Sequence, residues 1–247
     1  MGLSSISKWI RTDLGSHRAQ KNALFLMLIA ALLLRLSLLR WHGHEGDMAG
    51  FTNWAKALLR VPFSEFYLQG APECDSLPGY LYILAATARL HTILVGPIME
   101  WESFELWIKP VPVLADLALG IGVFLLCRRF TSPGRSLIAT ILVLFNPGLI
   151  FMSAIWGQID SLSAALCILS LMAIVYGSPL VAAVLAGLAF LCKPQYTLFL
   201  ISVALVYLLR EIKQLRNDTN HSAAKWTGWV ITRLMLPVIC LVMTIQS

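Results

Sequence analysis

The sequence has little charge. Only 13% of its 247 residues are Asp, Glu, Lys or Arg, whereas 58% are hydrophobic. A soluble domain usually carries about 25% charged residues, so this composition excludes an ordinary soluble protein. The period-two alternation of a membrane β-barrel is also missing, and the apolar residues instead form continuous runs. We therefore predict an all-α, polytopic transmembrane helical protein.

Several kinds of site are not indicated either. The five cysteines are scattered and show neither metal-ligand spacing nor a disulfide framework. The histidines also lack ligand spacing, so the sequence predicts no metal and no cofactor, although a divalent ion is left open. The net charge of +6 reflects basic loops and lipid headgroup contacts rather than binding of nucleic acid.

The distribution of basic residues sets the topology of the long apolar runs. Lys and Arg concentrate before the first run, in 128–135 and in 210–225, which the positive-inside rule places in the cytosol. An even number of crossings must separate the N-terminus from 128–135, but three apolar runs lie between them. One of the three must therefore not cross, and we predict that it is the run with Arg89 at its centre. About seven spans follow. The apolar runs cover 23–40, 80–98, 110–127, 136–155, 161–177, 179–192, 196–209 and 227–246.

This topology divides the chain into a cytosolic N-terminus, 1–22, and a transmembrane domain, 23–247. A long first external loop, 41–109, carries interfacial or re-entrant helices, one of them at 80–98. No small-residue cleavage site follows the first apolar run, so it is not predicted to be a cleavable signal. Ionisable residues near or inside membrane spans are costly, and each is a candidate functional residue. Those that gather on the external side are Asp47, Asp116, Asp160 and Lys193.

Each of these four residues also has a structural explanation. Asp47 is either the N-cap of an interfacial helix or a general base just outside the membrane. Asp116 is either a structural carboxylate bonded to a neighbouring helix or a group that holds a loop or a substrate hydroxyl. A helix cap would explain Asp160 alone. Lys193 is either a lysine that snorkels to headgroups or a phosphate ligand.

The residues around Gly157 form the richest stretch of the sequence. Asn146-Pro147 is predicted to break or kink the preceding helix inside the bilayer, and Trp156 suits a membrane interface. Gly157 gives a tight external turn, after which Gln158 and Asp160 face an external cavity. A cap explains Asp160 by itself but does not explain the grouping of Trp, Gln and Asp about one glycine.

The order of the motifs resembles the polytopic GT-C superfamily of glycosyltransferases. The similarity is closest to bacterial mannosyltransferase-like proteins and to eukaryotic enzymes that use dolichol-phosphate sugars, and it runs from about residue 25 to 210. WGQIDSL with the upstream FNP is its most specific part. The motifs are GDMAGFTNWA (46–55), PGYLY (78–82), KPVPVLAD (109–116), FNP (145–147), SAIWGQIDSL (153–162) and KPQ (193–195).

The resemblance implies a membrane glycosyltransferase that moves a hexose, expected to be mannose, from a polyprenyl-phosphate carrier to an acceptor on the non-cytosolic face. It implies Asp47 as general base and Lys193 as the group that meets the carrier phosphate. The expected location is a bacterial plasma membrane with a cytosolic N-terminus. The expected partners are membrane lipid, the lipid-linked sugar and other membrane proteins. The substrate-binding candidates are Asp116, Trp156, Gln158, Asp160, Lys193 and Gln195.

Two departures from the family pattern leave an alternative open. Members typically carry more membrane helices, whereas this chain ends at Ser247, within the seventh predicted span. Three explanations are left open: a fragment, a partly covered chain or a naturally shortened protein. Family members often have two prolines before GYLY, whereas this chain has Leu77-Pro78. The alternative function is a non-catalytic GT-C-like subunit of a larger membrane complex. A transporter is less favoured, because the polar groups gather on one face rather than at the bilayer midplane.

Overall fold

A computed structural model describes residues 17–196, 201–202, 205–209 and 213, and within these ranges the protein is all-helical. The α-helices are α1 His17–Leu38, α2 Glu45–Leu58, α3 Pro78–Leu94, α4 Trp101–Ile108, α5 Pro110–Phe130, α6 Pro133–Leu144, α7 Pro147–Ile150, α8 Asp160–Val175 and α9 Pro179–Cys192. Phe63–Glu65 and Pro194–Tyr196 form 3₁₀ turns, and Phe66–Gly70 and Phe151–Trp156 form π-helices. The prediction of an all-α protein is confirmed for this part of the chain.

Two helices in the described part are long and apolar enough to cross a membrane. The first is Arg18–Leu38 within α1, and the second is the 30-residue helix Trp101–Phe130, in which α4 continues into α5. A third span arises if Pro133–Leu144 and Pro147–Trp156, which are bent by 44° at their junction, count as one. Thirty residues of helix measure about 45 Å, longer than the ~30 Å hydrocarbon core of a bilayer.

The second of these helices begins earlier than the predicted run at 110–127. The Lys109 amide donates to the carbonyl oxygen of Glu105 at 3.0 Å, and the Val113 amide donates to the carbonyl of Lys109 at 3.2 Å. Helical bonding therefore continues past Pro110, whose ring removes one donor without ending the helix. The last part of the predicted external loop is thus a helical extension of the span.

The predicted break at Asn146-Pro147 is confirmed. The Asn146 side-chain oxygen accepts hydrogen bonds from the amides of Gly148 at 2.8 Å and Leu149 at 3.2 Å, which caps the new helix α7. Pro147 follows at the first helical position, where its missing N–H has no intrahelical partner to lose. The bend redirects the chain toward the π-helix that ends at Trp156.

The short apolar runs toward the C-terminus also form helices. The runs at 161–177 and 179–192 correspond to α8 and α9, which are joined by a turn at Gly177 with φ 85°. The chain then leaves α9 at Cys192 and enters the 3₁₀ turn at Pro194–Tyr196, which agrees with the predicted break. Of the run 196–209, residues 201–202 and 205–209 are helical. The predicted span 227–246 and most of the basic segments 1–22 and 210–225 lie outside the described residues.

Helix α3 corresponds to the run predicted not to cross. It has 17 residues, its Leu81, Leu84 and Ala88 side chains are buried, and Ile93 and Leu94 near its end are exposed. Its length and composition do not place it among the candidate spans. Its position relative to the bilayer stays a prediction.

The chain divides into two compact units. The first comprises the residues up to Asp75 together with Leu81–Leu162, and within it α5 packs against α1, α6 and the π-helix Phe151–Trp156. The second comprises Ser76–Tyr80 and the chain from Ser163 onward. In that unit the Ser170 hydroxyl donates to the Ala182 carbonyl at 2.8 Å, joining α8 to α9.

Candidate active site

Asp47 lies in the first turn of α2, just after α1 ends. The Met48 amide donates to the His44 carbonyl at 3.0 Å, so His44 is the N-cap and Asp47 is the third residue of the helix. The interpretation of Asp47 as the N-cap is therefore wrong. The helix starts before it, which leaves its carboxylate to bond with another part of the chain.

Two side chains from a distant segment hold the Asp47 carboxylate. Trp156 Nε1 donates to Asp47 Oδ2 at 2.8 Å, and Gln158 Nε2 donates to the same oxygen at 2.6 Å. His44 Nδ1 lies 3.7 Å from Oδ1, and the Asp47 side chain is 35% exposed. The carboxylate is thus fixed through one oxygen, while the side chain stays accessible from outside.

A π-helix and a left-handed glycine deliver the two donors. Residues Phe151–Trp156 form the π-helix, and Gly157 follows with φ 81°, a conformation that glycine adopts without steric cost. The Gln158 amide then donates back to the Met152 carbonyl at 2.8 Å, which closes the turn. Single-turn π-helices are frequent at functional sites. Here the extra residue and the turn place Trp156 and Gln158 on the same carboxylate.

The glycines on both sides of the site permit close backbone approach. A Cβ at Gly43 would lie 2.8 Å from the Trp156 carbonyl oxygen, and a Cβ at Gly157 would lie 3.1 Å from Met48 Cε. Since real Cβ atoms essentially never come within 3.0 Å of another heavy atom, the approach at Gly43 requires glycine. The segment before α2 and the turn after the π-helix are therefore packed directly against each other.

Asp116 has a different environment, because it is buried inside the helix bundle. Its Oδ2 accepts hydrogen bonds from Arg35 Nε at 2.6 Å and from Ser153 Oγ at 2.5 Å, and its Oδ1 accepts one from Ser161 Oγ. The side chains of Arg35 and Asp116 are 0% and 1% exposed. These bonds join α1, α5, the π-helix and α8. These are the contacts expected if Asp116 is a structural carboxylate bonded to neighbouring helices. A substrate-binding role for Asp116 stays a prediction.

A second buried ion pair was not anticipated from the sequence. Lys109 Nζ lies 3.2 Å from Glu105 Oε2, and the other oxygen of Glu105 lies 2.5 Å from His42 Nδ1. Both Glu105 and Lys109 are buried, whereas His42 is exposed. The four-residue spacing of Glu105 and Lys109, which puts both on one face of a helix, was the available signal.

Three candidates remain. Asp160 is the first residue of α8 and is half-buried. Lys193, half-buried, and Gln195, exposed, follow α9 in the second compact unit. Among all the candidates, the structure brings Asp47, Trp156 and Gln158 together. In the described part of the chain, no group of three or more His, Cys, Asp or Glu side chains is arranged to hold a metal ion.

Comparison with known families decides what kind of protein carries this site. Residues 100–246, more than half of the chain, match the family described as the ALG6, ALG8 glycosyltransferase family. The chain belongs to this family. Comparison with curated proteins and with solved structures gave no match.

Membership of the ALG6, ALG8 family confirms the GT-C part of the resemblance and the integral membrane character of the protein. It does not extend to the bacterial mannosyltransferase-like proteins specifically. The match includes Asp116, Trp156, Gln158 and Lys193, whereas Asp47 lies before it. A role for Asp47 therefore depends on its bonds to the two donors inside the matched region.

Proposed function

We propose that the protein transfers a hexose from a polyprenyl-phosphate carrier to an acceptor hydroxyl on the non-cytosolic side of the membrane, with Asp47 as the general base. One observation carries the proposal. In a chain of a glycosyltransferase family, an accessible carboxylate in the first turn of α2, which follows the first membrane helix, accepts two hydrogen bonds from the WGQ segment. A carboxylate held in this way is oriented before substrate arrives.

The reaction forms one bond and breaks another at the anomeric carbon of the sugar. The acceptor oxygen bonds to that carbon as the carbon–oxygen bond to the carrier phosphate breaks, and the phosphate leaves with the electron pair. Asp47 takes the acceptor proton on Oδ1, because Oδ2 already accepts from Trp156 and Gln158. A positioned general base typically contributes a factor of about 10²–10⁴ to the rate.

The two donors support the base in this mechanism. The sequence predicted that Gln158 binds a sugar hydroxyl, but its amide nitrogen lies 2.6 Å from Asp47 Oδ2. Hydrogen bonds to an ionised acceptor are stronger than those between neutral groups, so they fix the carboxylate orientation firmly. Gln158 and Trp156 therefore align Oδ1 with the acceptor site, and Asp160 and Gln195 remain the candidates for sugar hydroxyls.

Lys193 is proposed to hold the carrier phosphate and to offset its growing charge during transfer. Its support is the resemblance of the KPQ motif and its place at the end of a short apolar helix. Asp116 would support the site through its bonds to Ser153 and Ser161 rather than act on the sugar itself.

The topology proposed for this reaction has seven crossings, a cytosolic N-terminus and a bacterial plasma membrane as its location. The orientation is supported by the basic segments of the sequence, and the membrane location is supported by the helices that are long enough to span. The number of crossings comes from the apolar runs, and the bacterial location comes from the resemblance described above. Because α1 and the helix Trp101–Phe130 both cross in this arrangement, the chain between them lies on one side. Asp47 then faces the non-cytosolic compartment.

The proposal is tested with purified protein reconstituted into liposomes. Labelled polyprenyl-phosphate mannose and labelled polyprenyl-phosphate glucose are each offered with lipid extracts that contain acceptor. Transfer of label from one carrier identifies the sugar, and mannose is the donor that the sequence resemblance implies. A folded protein that transfers from neither carrier, and that co-purifies with a fixed membrane partner, would instead be the non-catalytic subunit.

Trp156→Phe is expected to lower kcat about 10- to 100-fold with little change in KM, because a hydrogen bond to a charged group is worth ~1.5–3 kcal/mol and each 1.4 kcal/mol is about tenfold in rate. The variant keeps one aromatic ring, removes the Nε1 donor to Asp47 and replaces the indole by the smaller phenyl group. Steady-state transfer kinetics measure the change. Trp41→Phe is the matched control, since the Trp41 side chain is exposed. Equal kcat in both variants would show that the donor is not needed.

A further inference from the structure

The ion pair between Glu105 and Lys109 lies at the junction of α4 and α5 and is fully enclosed by protein. A lysine ammonium can donate three hydrogen bonds. Lys109 Nζ lies 3.2 Å from Glu105 Oε2, 2.6 Å from the Trp41 carbonyl oxygen and 3.2 Å from the Leu39 carbonyl oxygen. All three donor positions of the ammonium are therefore used, and none is left for a substrate.

The two carbonyls belong to the chain that leaves α1. Helix α1 ends at Leu38, so Leu39 and Trp41 stand just past its C-terminus, where carbonyl groups lack intrahelical partners and the helix dipole is negative. A cation at this place can donate hydrogen bonds to these carbonyls and also interacts favourably with the negative end of the helix dipole. Lys109 thus caps α1 from a different helix and fixes the direction in which the chain leaves it.

Glu105 holds the next residues of the same segment. Its Oε1 lies 2.5 Å from His42 Nδ1, and its Oε2 accepts from the Gly43 amide at 3.1 Å. The His42 ring also packs edge-on against Trp101 of α4, with 5.7 Å between ring centroids. Together the two members of the pair bond the chain at Leu39, Trp41, His42 and Gly43, immediately before the turn of α2 that carries Asp47.

The same pair also contacts the segment that supplies the donors to Asp47. A Cβ at Gly157 would lie 3.3 Å from Lys109 Cγ, so the stem of the lysine packs against this turn. Gly43, held by Glu105, approaches the Trp156 carbonyl closely enough to exclude a side chain. Both halves of the Asp47 site are thus built against one buried pair.

We infer that Glu105 and Lys109 are positioning residues that keep Asp47 aligned with Trp156 and Gln158. The inference rests on the proposed function of Asp47. Without the pair, the segment 39–44 loses its attachment to the α4–α5 helix, and the carboxylate is no longer held at its two donors. Misplacement of a catalytic group by about 1 Å can cost about 100-fold in rate. The loss should fall on kcat, because neither residue reaches the substrate.

The test combines amide hydrogen exchange with transfer kinetics on the 247-residue chain in detergent. Lys109→Met is compared with the double variant Glu105→Gln/Lys109→Met, which leaves no lone charge in a buried place. In both variants, exchange of the peptide covering 39–47 is expected to rise about 10-fold, because its local attachment is lost, while exchange in Pro133–Leu144 stays unchanged. We expect kcat to fall about 10- to 100-fold and KM to stay within about twofold.

Lys56→Met is the matched control. Lys56 Nζ also donates to a backbone carbonyl, that of Met99, at 2.6 Å. Unlike the bonds of Lys109, this bond is exposed. It should alter neither exchange at 39–47 nor kcat. Lys109→Arg, which retains a cation, should restore part of the protection and part of the rate.

The two measurements separate the inference from the proposed function. Unchanged exchange at 39–47 in a folded Lys109→Met or double variant would overturn the inference, whatever the activity. Raised exchange with an unchanged kcat would overturn it as well. If the wild-type protein transfers no sugar, the proposed function fails, and the exchange measurement still decides whether the pair holds the segment.

Discussion

Asp47→Asn is expected to lower the rate of glycosyl transfer at least about 100-fold, since a general base contributes about 10²–10⁴ and an amide cannot take its place. The amide oxygen of Asn can still accept hydrogen bonds from Trp156 and Gln158, so the local fold should be kept. The initial rate with labelled donor measures the effect. The amount of protein in the membrane fraction should equal that of the wild type.

The control for this prediction lies in the same helical turn. Glu45 is also acidic and is exposed at the start of α2, and no described bond joins it to Trp156 or Gln158. Glu45→Gln removes the same charge two residues away and should leave the rate within about twofold. If Asp47→Asn retained the wild-type rate, the base would have to be sought on another residue.

The largest expected effect on stability comes from Asp116→Asn. The substitution leaves the Arg35 guanidinium buried without its anion, and removal of one partner of a buried ion pair costs ~3–5 kcal/mol. Ser153 and Ser161 lose a charged acceptor at the same time. The free energy of unfolding in detergent, measured by denaturant titration, should fall by this amount. The yield of monodisperse protein should fall with it.

Two further variants show whether charge is the cause. Arg35→Met combined with Asp116→Leu removes both ions, and replacing a buried pair by apolar residues is often close to neutral. The double variant should therefore be more stable than Asp116→Asn alone. Asp75→Asn neutralises an exposed acid and should have an effect within about 0.5 kcal/mol. An Asp116→Asn protein as stable as the wild type would contradict the assignment of the ion pair.

Local sequence features predicted the helices and several of their ends. Asn146-Pro147 indicated a break because proline cannot continue a helix within its interior and asparagine caps the next one, and both effects are present. Gly157 indicated a turn, and its left-handed backbone explains why glycine is found there. The gathering of Asp47 with Trp156 and Gln158 agrees with the parity argument, which placed both segments on one side of the membrane.

Partners that meet across the bundle were harder to predict. Arg35 is 81 positions from Asp116, and their contact depends on how α1 and α5 are rotated against each other, which the apolar composition of both helices does not specify. The rule that marked Asp116 as costly in a membrane applies equally to Arg35, so a pairing of the two was accessible in principle. Lys109 was assigned to the loop because the predicted apolar run begins at residue 110. The structure instead places it inside an unbroken helix, with its side chain buried.

The distance in sequence between Arg35 and Asp116 has a consequence for biosynthesis. Translation proceeds at about 5–20 residues per second, so Asp116 leaves the ribosome roughly 4–16 s after Arg35. During that interval the first helix carries a guanidinium whose counter-ion does not yet exist. Lateral release of this helix into lipid as an independent anchor is therefore disfavoured until α5 arrives. We therefore expect insertion and tertiary assembly of the first part of the chain to be coupled.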